Sequence, residues 1–207
     1  MVELLVPQEE YLKAGVHIGT KFKSGDMKQF IYKARNDQLY VLDLKKVDER
    51  IKAVAKMLAQ YKPGDVLITA SRAYAEYSAG KFCEINGCRL VTGRFSPGLL
   101  TNPKVEGFME PKVLMVTDPR GEKNAIKEAG KIGIPVIAMC DTNAIIKYLD
   151  LVLPCNNKGK KSLGLLFWLL GREMAKAKGE ISSNEEWKYP LEDFESKLEL
   201  GPVAAPV

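Results

Sequence analysis

Residues 112–141, KVLMVTDPRGEKNAIKEAGKIGIPVIAMCD, decide the fold. The opening apolar run, VLMV, ends at Thr117 and Asp118, and Pro119, Arg120 and Gly121 then break the chain. Ala125, Ile126, Ala129 and Ile132 follow at spacings that line one face of a helix. Pro135 introduces a second run, VIAM, which stops at Asp141. Short continuous apolar runs are the pattern of strands covered on both faces, so the stretch predicts a βαβ unit of a parallel sheet. Parallel neighbours need such a crossover, and its right-handed form is strongly preferred.

The same alternation continues in both directions. Upstream, Val47, Ile51, Val54, Ala55 and Leu58 predict a helix over 48–61, stopped by Lys62, Pro63 and Gly64. Apolar runs predict strands near 66–70 and 89–94, joined by a helix using Tyr74, Tyr77, Phe82 and Ile85. Residues 96–111 read as a loop with at most one helical turn. Downstream, NAIIKYL (143–149) predicts a short helix, DLVLPC a strand near 150–154, and LGLLFWLL a closing helix over 162–178 with a wide apolar face. With strands near 113–117 and 135–139, the count is five parallel strands. The expected fold is α/β, three-layer and flavodoxin-like, with strand order 2-1-3-4-5.

Flanking segments complete the organisation. Residues 1–46 should form an N-terminal extension: a short helix over 7–14, a basic glycine-punctuated loop, and a hairpin from the β-prone runs at 31–33 and 38–42. Residues 47–179 form the flavodoxin-like domain. Residues 180–207 are an acidic C-terminal tail, in which Trp187, Tyr189, Leu191 and Phe194 should pin the first half to the body or a partner. The GPVAAPV end is expected to be disordered.

Composition narrows the classes. The length of 207 residues and 46% hydrophobic content suit one soluble domain. Four cysteines without CxxC spacing, beside a single histidine, exclude the zinc-finger and zinc-ribbon patterns and read as free, mostly buried thiols. The N-terminus lacks the pattern of a secretory signal, and the most apolar stretch, residues 163–171, is half the ~20 residues of a membrane span. Net charge is +5, but residues 180–207 hold seven acids and two lysines, leaving 29 basic and 19 acidic groups, or +10, in residues 1–179. A body so charged favours a polyanionic partner, nucleic acid rather than a membrane.

Two kinds of residue compete for function. The strand ends carry Asp118 and Asp141, which in principle could share a divalent metal and support a phosphate- or metal-dependent enzyme or regulator. Each also has a structural reading: Asp141 as cap of the helix expected after it, Asp118 as cap of its turn or partner of Arg120. No G-x-G-x-x-G, phosphate-loop or nucleophile-elbow motif is present, so no cofactor is expected. The basic residues form the other set. Lys13, Lys21, Lys23, Lys28, Lys33 and Arg35 stand against one acid, Asp26, in a glycine-rich segment typical of a phosphate-contacting arm. Lys158, Lys160 and Lys161 precede a helix start, where positive charge opposes the macrodipole unless an anion is bound. Arg94 and Arg120 sit at strand ends that the expected strand order places near each other. His17, between glycines, is either a buried histidine held by backbone hydrogen bonds or an RNA contact. Without an aromatic platform in the sequence, RNA would be read by shape and charge.

Six blocks then carry a resemblance: AGVHIGT (14–20), SRAYAEYSAGKF (71–82), TGRFSPGLLTN (92–102), EPKVLMVTDPRGEKNAIKEAG (110–130), IPVIAMCDTN (134–143) and LPCNNKGKKSLGLLFWLL (153–170). In this order they resemble the family of the second protein of the small ribosomal subunit in its archaeal form, which is related to eukaryotic ribosomal protein SA. The resemblance implies a flavodoxin-type structural protein without enzyme activity, located in the cytoplasm on the ribosome. Its partners would be small-subunit ribosomal RNA and neighbouring small-subunit proteins, with no DNA, no membrane and no obligate homo-oligomer. The helical protrusion that bacterial relatives insert after the position of Asn102 should be absent. A protein-interaction module with the acidic tail as binding arm is a further reading from the charge pattern.

Overall fold

The computed structural model describes residues 4–197. The strands near the centre of the chain fall where the apolar runs put them: β3 (Val66–Ala70), β4 (Arg89–Thr92), β5 (Val113–Val116), β6 (Val136–Cys140) and β7 (Leu151–Pro154). All pair in parallel, in the spatial order β4-β3-β5-β6-β7, which is 2-1-3-4-5 within this sheet. Every residue of β3, β5 and β6 is buried, the burial that their unbroken apolar runs required.

Helices cover both faces. Helices α2 (Leu44–Ala59) and α3 (Ala73–Asn86) each pack against α5 (Lys160–Lys178) on one side. Helix α4 (Lys123–Ile132) lies on β5 and β6, and the loop at 96–111 is tied to it by the Glu128 carboxylate, which accepts hydrogen bonds from the Gly98 and Leu100 backbone N–H groups. Helix α2 starts earlier than its apolar period suggests because Asp43 caps it, accepting from the Lys45 N–H at 3.1 Å. In α3 the inward face is Ala75, Ser78, Ala79, Phe82 and Cys83, while Tyr77 is exposed. Small residues let α5 approach, and Phe82 meets Phe167 with ring centroids 5.7 Å apart.

One expected helix is absent. Residues 143–149 form turns, with Tyr148 in the left-handed region at φ 66°. A first helical turn needs the carbonyl of Thr142 as an acceptor four residues ahead. That carbonyl instead accepts the Ser24 N–H at 2.9 Å, and the Asp141 carbonyl takes Ala144 in a tighter turn. Asp141 therefore caps a turn, accepting from the Thr142 N–H at 2.6 Å, and no helix.

Before the sheet, α1 (Gln8–Ala14) ends at Gly15 in the left-handed conformation, and β1 (Ile31–Ala34) and β2 (Tyr40–Leu42) form an antiparallel hairpin off the main sheet. Met27, Phe30 and Leu42 anchor this region in the core. Buried Asp48 of α2 accepts from both the Tyr11 hydroxyl and the Leu5 N–H at 2.8 Å. After α5, the acidic segment returns across α3 and α5. Phe194 is fully buried, its carbonyl accepts from Ser78 Oγ, and the Tyr189 carbonyl accepts from Trp168 Nε1. Gly164 permits this approach, since a Cβ there would stand 3.2 Å from the Phe194 carbonyl oxygen. Residues 201–207, expected to be disordered, lie outside the described residues. The four cysteines are free, and three of them are buried.

Candidate nucleic-acid interface

Doubly wound sheets bind ligands beyond the carboxyl ends of their strands, at the point where strand order reverses. Here that point lies between β3 and β5, and the chain fills it with its own groups. Glu122, buried at the start of α4, accepts from Thr69 Oγ1 (2.5 Å), the Ser71 N–H (3.0 Å) and Oγ (3.1 Å), and the Thr117 N–H (3.1 Å) and Oγ1 (2.9 Å). Burial pushes its carboxyl from the ordinary 4.5 up to about 7, while hydrogen bonds from Thr69, Thr117 and Ser71 hold it down. Gly121 closes the gap: a Cβ on it would stand 2.8 Å from Ser71 Oγ, so the turn after β5 touches the loop after β3. Asn157 Nδ2 donates to the carbonyls of Thr117 and Met139, joining the ends of β5 and β6.

The two strand-end aspartates are engaged in the same way. Asp118 Oδ2 accepts from Arg72 Nε (2.9 Å) and Nη2 (2.6 Å), and Oδ1 from the Arg120 N–H (3.1 Å). Its cationic partner is thus Arg72, not the Arg120 side chain. Asp141 pairs with Lys158 Nζ at 2.9 Å. Among the described residues no group of three or more His, Cys, Asp or Glu side chains is placed to hold a metal.

Over the ends of β6 and β7 the N-terminal segment is laid as a strap. Thr142 is its main anchor. Its Oγ1 accepts from the Thr20 N–H at 2.9 Å and donates to the Phe22 carbonyl at 2.9 Å. Gly19 is required at this crossing, because a Cβ would stand 2.3 Å from Thr142 Cγ2 and 2.9 Å from the Tyr40 carbonyl oxygen. Asn156 anchors the strap again, its Nδ2 donating to the Gly15 carbonyl and its N–H to the Val16 carbonyl.

The basic residues singled out in the sequence distribute around this strap. Lys13, Lys21, Lys23, Lys28, Lys33 and Arg35 are all exposed. Lys23 lies 4.9 Å from the centre of the Tyr40 ring, and Arg35 pairs with Asp37 at 3.3 Å in the hairpin turn. His17 is half-buried. Burial lowers its pKa, a backbone hydrogen bond with Tyr11 opposing and Arg35 adding to the shift, so the ring is neutral near pH 7. Arg94 and Arg120 are exposed but stand beyond β4 and β5, with β3 between those strands. In the loop before α5, Lys158 is held by Asp141, Lys160 is half-buried in the first helical turn, and Lys161 is exposed. The loop itself is shaped by Asn156 Oδ1, which accepts from the Lys158 and Gly159 N–H groups.

Helix α4 adds charge that composition hid. Lys123, Lys127 and Lys131 recur every four residues on its exposed face, while its acids turn inward: Glu122 into the strand-end cluster and Glu128 onto the loop at 96–111. The four-residue spacing is visible in the sequence; the burial of Glu122 and Glu128, which leaves the lysines unbalanced, is not.

Fold and site together define a doubly wound α/β protein whose ligand crevice is occupied by its own side chains and whose N-terminal strap covers the remaining strand ends. The chain belongs to the ribosomal protein S2 family, whose model matches residues 11–109 and 104–177. It is 50% identical to the small ribosomal subunit protein uS2 of Thermoplasma acidophilum over 196 residues, covering 95% of this chain and 98% of that one. It is 52% identical to the protein of the same name from Methanoregula boonei, covering 95% and 94%, and 50% identical to that of Thermofilum pendens, covering 95% and 92%. No helix among the described residues is long and apolar enough to cross a membrane.

Proposed function

We propose that the chain is a structural constituent of the small ribosomal subunit, bound to its ribosomal RNA and to neighbouring proteins, and that it performs no catalysis. Membership of the ribosomal protein S2 family carries this reading. The filled crevice agrees with it: the aspartates on which a metal-dependent alternative would depend are spent on Arg72 and Lys158. The arm bearing Lys13, Lys21, Lys23, Lys28, Lys33 and Arg35 and the loop bearing Lys158, Lys160 and Lys161 are its RNA-facing surfaces, joined by Arg94 and Arg120. His17, being neutral, contributes there by shape or a hydrogen bond and not by charge. The segment at 180–197, folded on α3 and α5 with Glu180, Glu185, Glu186 and Glu192 exposed, stays off the RNA.

The test is co-sedimentation of the full chain with small subunits at increasing salt. Each phosphate contact adds about −0.7 to −0.9 to the slope of log K against log salt. Exchanging Lys21, Lys28 and Lys33 for Gln should flatten that slope by roughly two units while leaving the melting temperature unchanged. An unchanged slope would remove the arm from the RNA-facing surface, and failure of the wild-type chain to sediment with subunits at any salt would remove the ribosomal reading itself.

A further inference from the structure

A groove with a volume of about 580 Å³ runs between the strap, the turns at 142–149 and helix α4. Five cations border it, Lys23, Arg120, Lys123, Lys127 and Lys147, and no acid does. None of the five is in an ion pair among the described residues, and the acids flanking α4 and the turns, Asp118, Glu122, Glu128 and Asp141, are turned inward and satisfied. The groove lining therefore holds positive charge with no acid among its own residues.

Its apolar lining is as unusual as its charge. Phe22 is 74% exposed, Ile145 63% and Tyr148 61%. Tyr148 holds φ 66°, a conformation unfavourable for a bulky side chain, and gives the core almost nothing in return. Glycine or asparagine would suit that turn better, so the position spends backbone strain on presenting an aromatic ring. A second hollow, of about 320 Å³, is lined by Tyr148 with Lys127, Gly130 and Lys131, so the ring borders two adjoining basic hollows. Lys147 already rests 5.0 Å from the ring centre.

We propose that this groove holds a single-stranded segment of the subunit's ribosomal RNA, with an unpaired base stacked on Tyr148 and its flanking phosphates on the lysines of α4 and on Lys147. This rests on the ribosomal reading above and adds to it a mode of contact, stacking, that the sequence had shown no platform for. An A-form duplex presents phosphates, 2′-hydroxyls and base edges to such a surface, and its internal bases are stacked on one another. An acidic peptide would satisfy the cations but leave the strained ring without a partner of its own shape. A flat base beside phosphates satisfies both features, and base–aromatic stacking is tolerant of sequence.

The experiment measures binding of the full chain to three fluorescent probes by anisotropy: a ten-nucleotide oligoadenylate, a ten-base-pair RNA duplex and a ten-residue polyglutamate. Tyr148→Ala should weaken oligoadenylate binding by roughly ten- to a hundredfold and leave the duplex within about twofold, while Tyr148→Phe should bind as the wild type. Lys123→Gln with Lys127→Gln and Lys147→Gln should reduce the single-strand salt slope by about two units. Tyr148→Gly, which relieves the left-handed strain, replaces the alanine variant if that one melts early. Chemical probing of small subunits carrying the wild-type or the Tyr148→Ala chain should show one or a few unpaired ribosomal RNA bases gaining reactivity in the variant, with or without messenger. The proposal is overturned if single strand and duplex bind alike and ignore Tyr148, if polyglutamate binding is the one that Tyr148→Ala weakens, or if any base protection requires messenger. In each of those cases sedimentation with small subunits is unaffected and the ribosomal reading stands; loss of both sedimentation and RNA binding in the wild type sinks the two together.

Discussion

Glu122 gives the sharpest test of how the strand ends are sealed. Its carboxyl titrates near 7 in the fold against an ordinary 4.5, so the folded chain holds the proton more tightly than the unfolded one. Stability from this group is fully present below about pH 4.5 and is lost as pH rises through about 7. At 1.36 kcal/mol per pKa unit, the wild type should lose roughly 2.5 kcal/mol from this position between about pH 5 and about pH 8. Glu122→Gln cannot titrate, so subtracting its denaturant-derived stability curve from that of the wild type isolates the effect. The subtraction also cancels His17, whose lowered pKa acts with opposite sign: its contribution is present above about pH 6.5 and fades as pH falls. Urea titrations at half-unit pH steps suffice. A flat difference curve would mean that five donors keep Glu122 ionised throughout, and the argument that burial outweighs those hydrogen bonds would fail.

Further expectations follow from single contacts. Gly19→Ala drives a methyl group into Thr142 and the Tyr40 carbonyl, and should cost about 2–3 kcal/mol, seen as protease cleavage of the strap before global unfolding. Phe194→Ala empties a fully buried site between α3 and α5 and should cost roughly 3–5 kcal/mol, with the melting temperature as readout. Asp118→Asn breaks the Arg72 pair; because Arg72 is 40% exposed, the loss should stay near 1–2 kcal/mol, and sedimentation with small subunits should be unchanged.

The central sheet was legible because its signal is local. VLMV and VIAM are continuous apolar runs, and nothing distant alters what such runs do between two helical layers. NAIIKYL does not form the helix its pattern predicts, for the converse reason: the carbonyl of Thr142 is taken by Ser24, 118 positions away in sequence, and no window around Thr142 contains that fact. Asp43 as a helix cap was readable but lay outside the apolar period used to place α2. The basic arm was visible as composition, yet the stripe Lys123, Lys127, Lys131 was masked by Glu122 and Glu128, whose inward orientation depends on Ser71 and on the loop at 96–111. Tyr148 carries no sequence mark of its left-handed backbone.

The strap imposes an order on biosynthesis. Its anchors, Thr142 and Asn156, lie 122 and 141 residues downstream of their partners Thr20 and Gly15. A chain emerging from its N-terminus delivers the lysine-rich strap long before anything exists to fasten it. During that interval the strap is an unshaped polycation, attracted to any nucleic acid by charge alone. Only when β6 and the turn after it have been made can Thr20, Phe22 and Ser24 settle on Thr142, and only after β7 can Gly15 and Val16 fasten to Asn156. A nascent chain cut short before Thr142 would carry the whole basic arm, Lys13 to Arg35, with neither of the strap's anchors, and its RNA binding should be strong at low salt and indifferent to which RNA is offered.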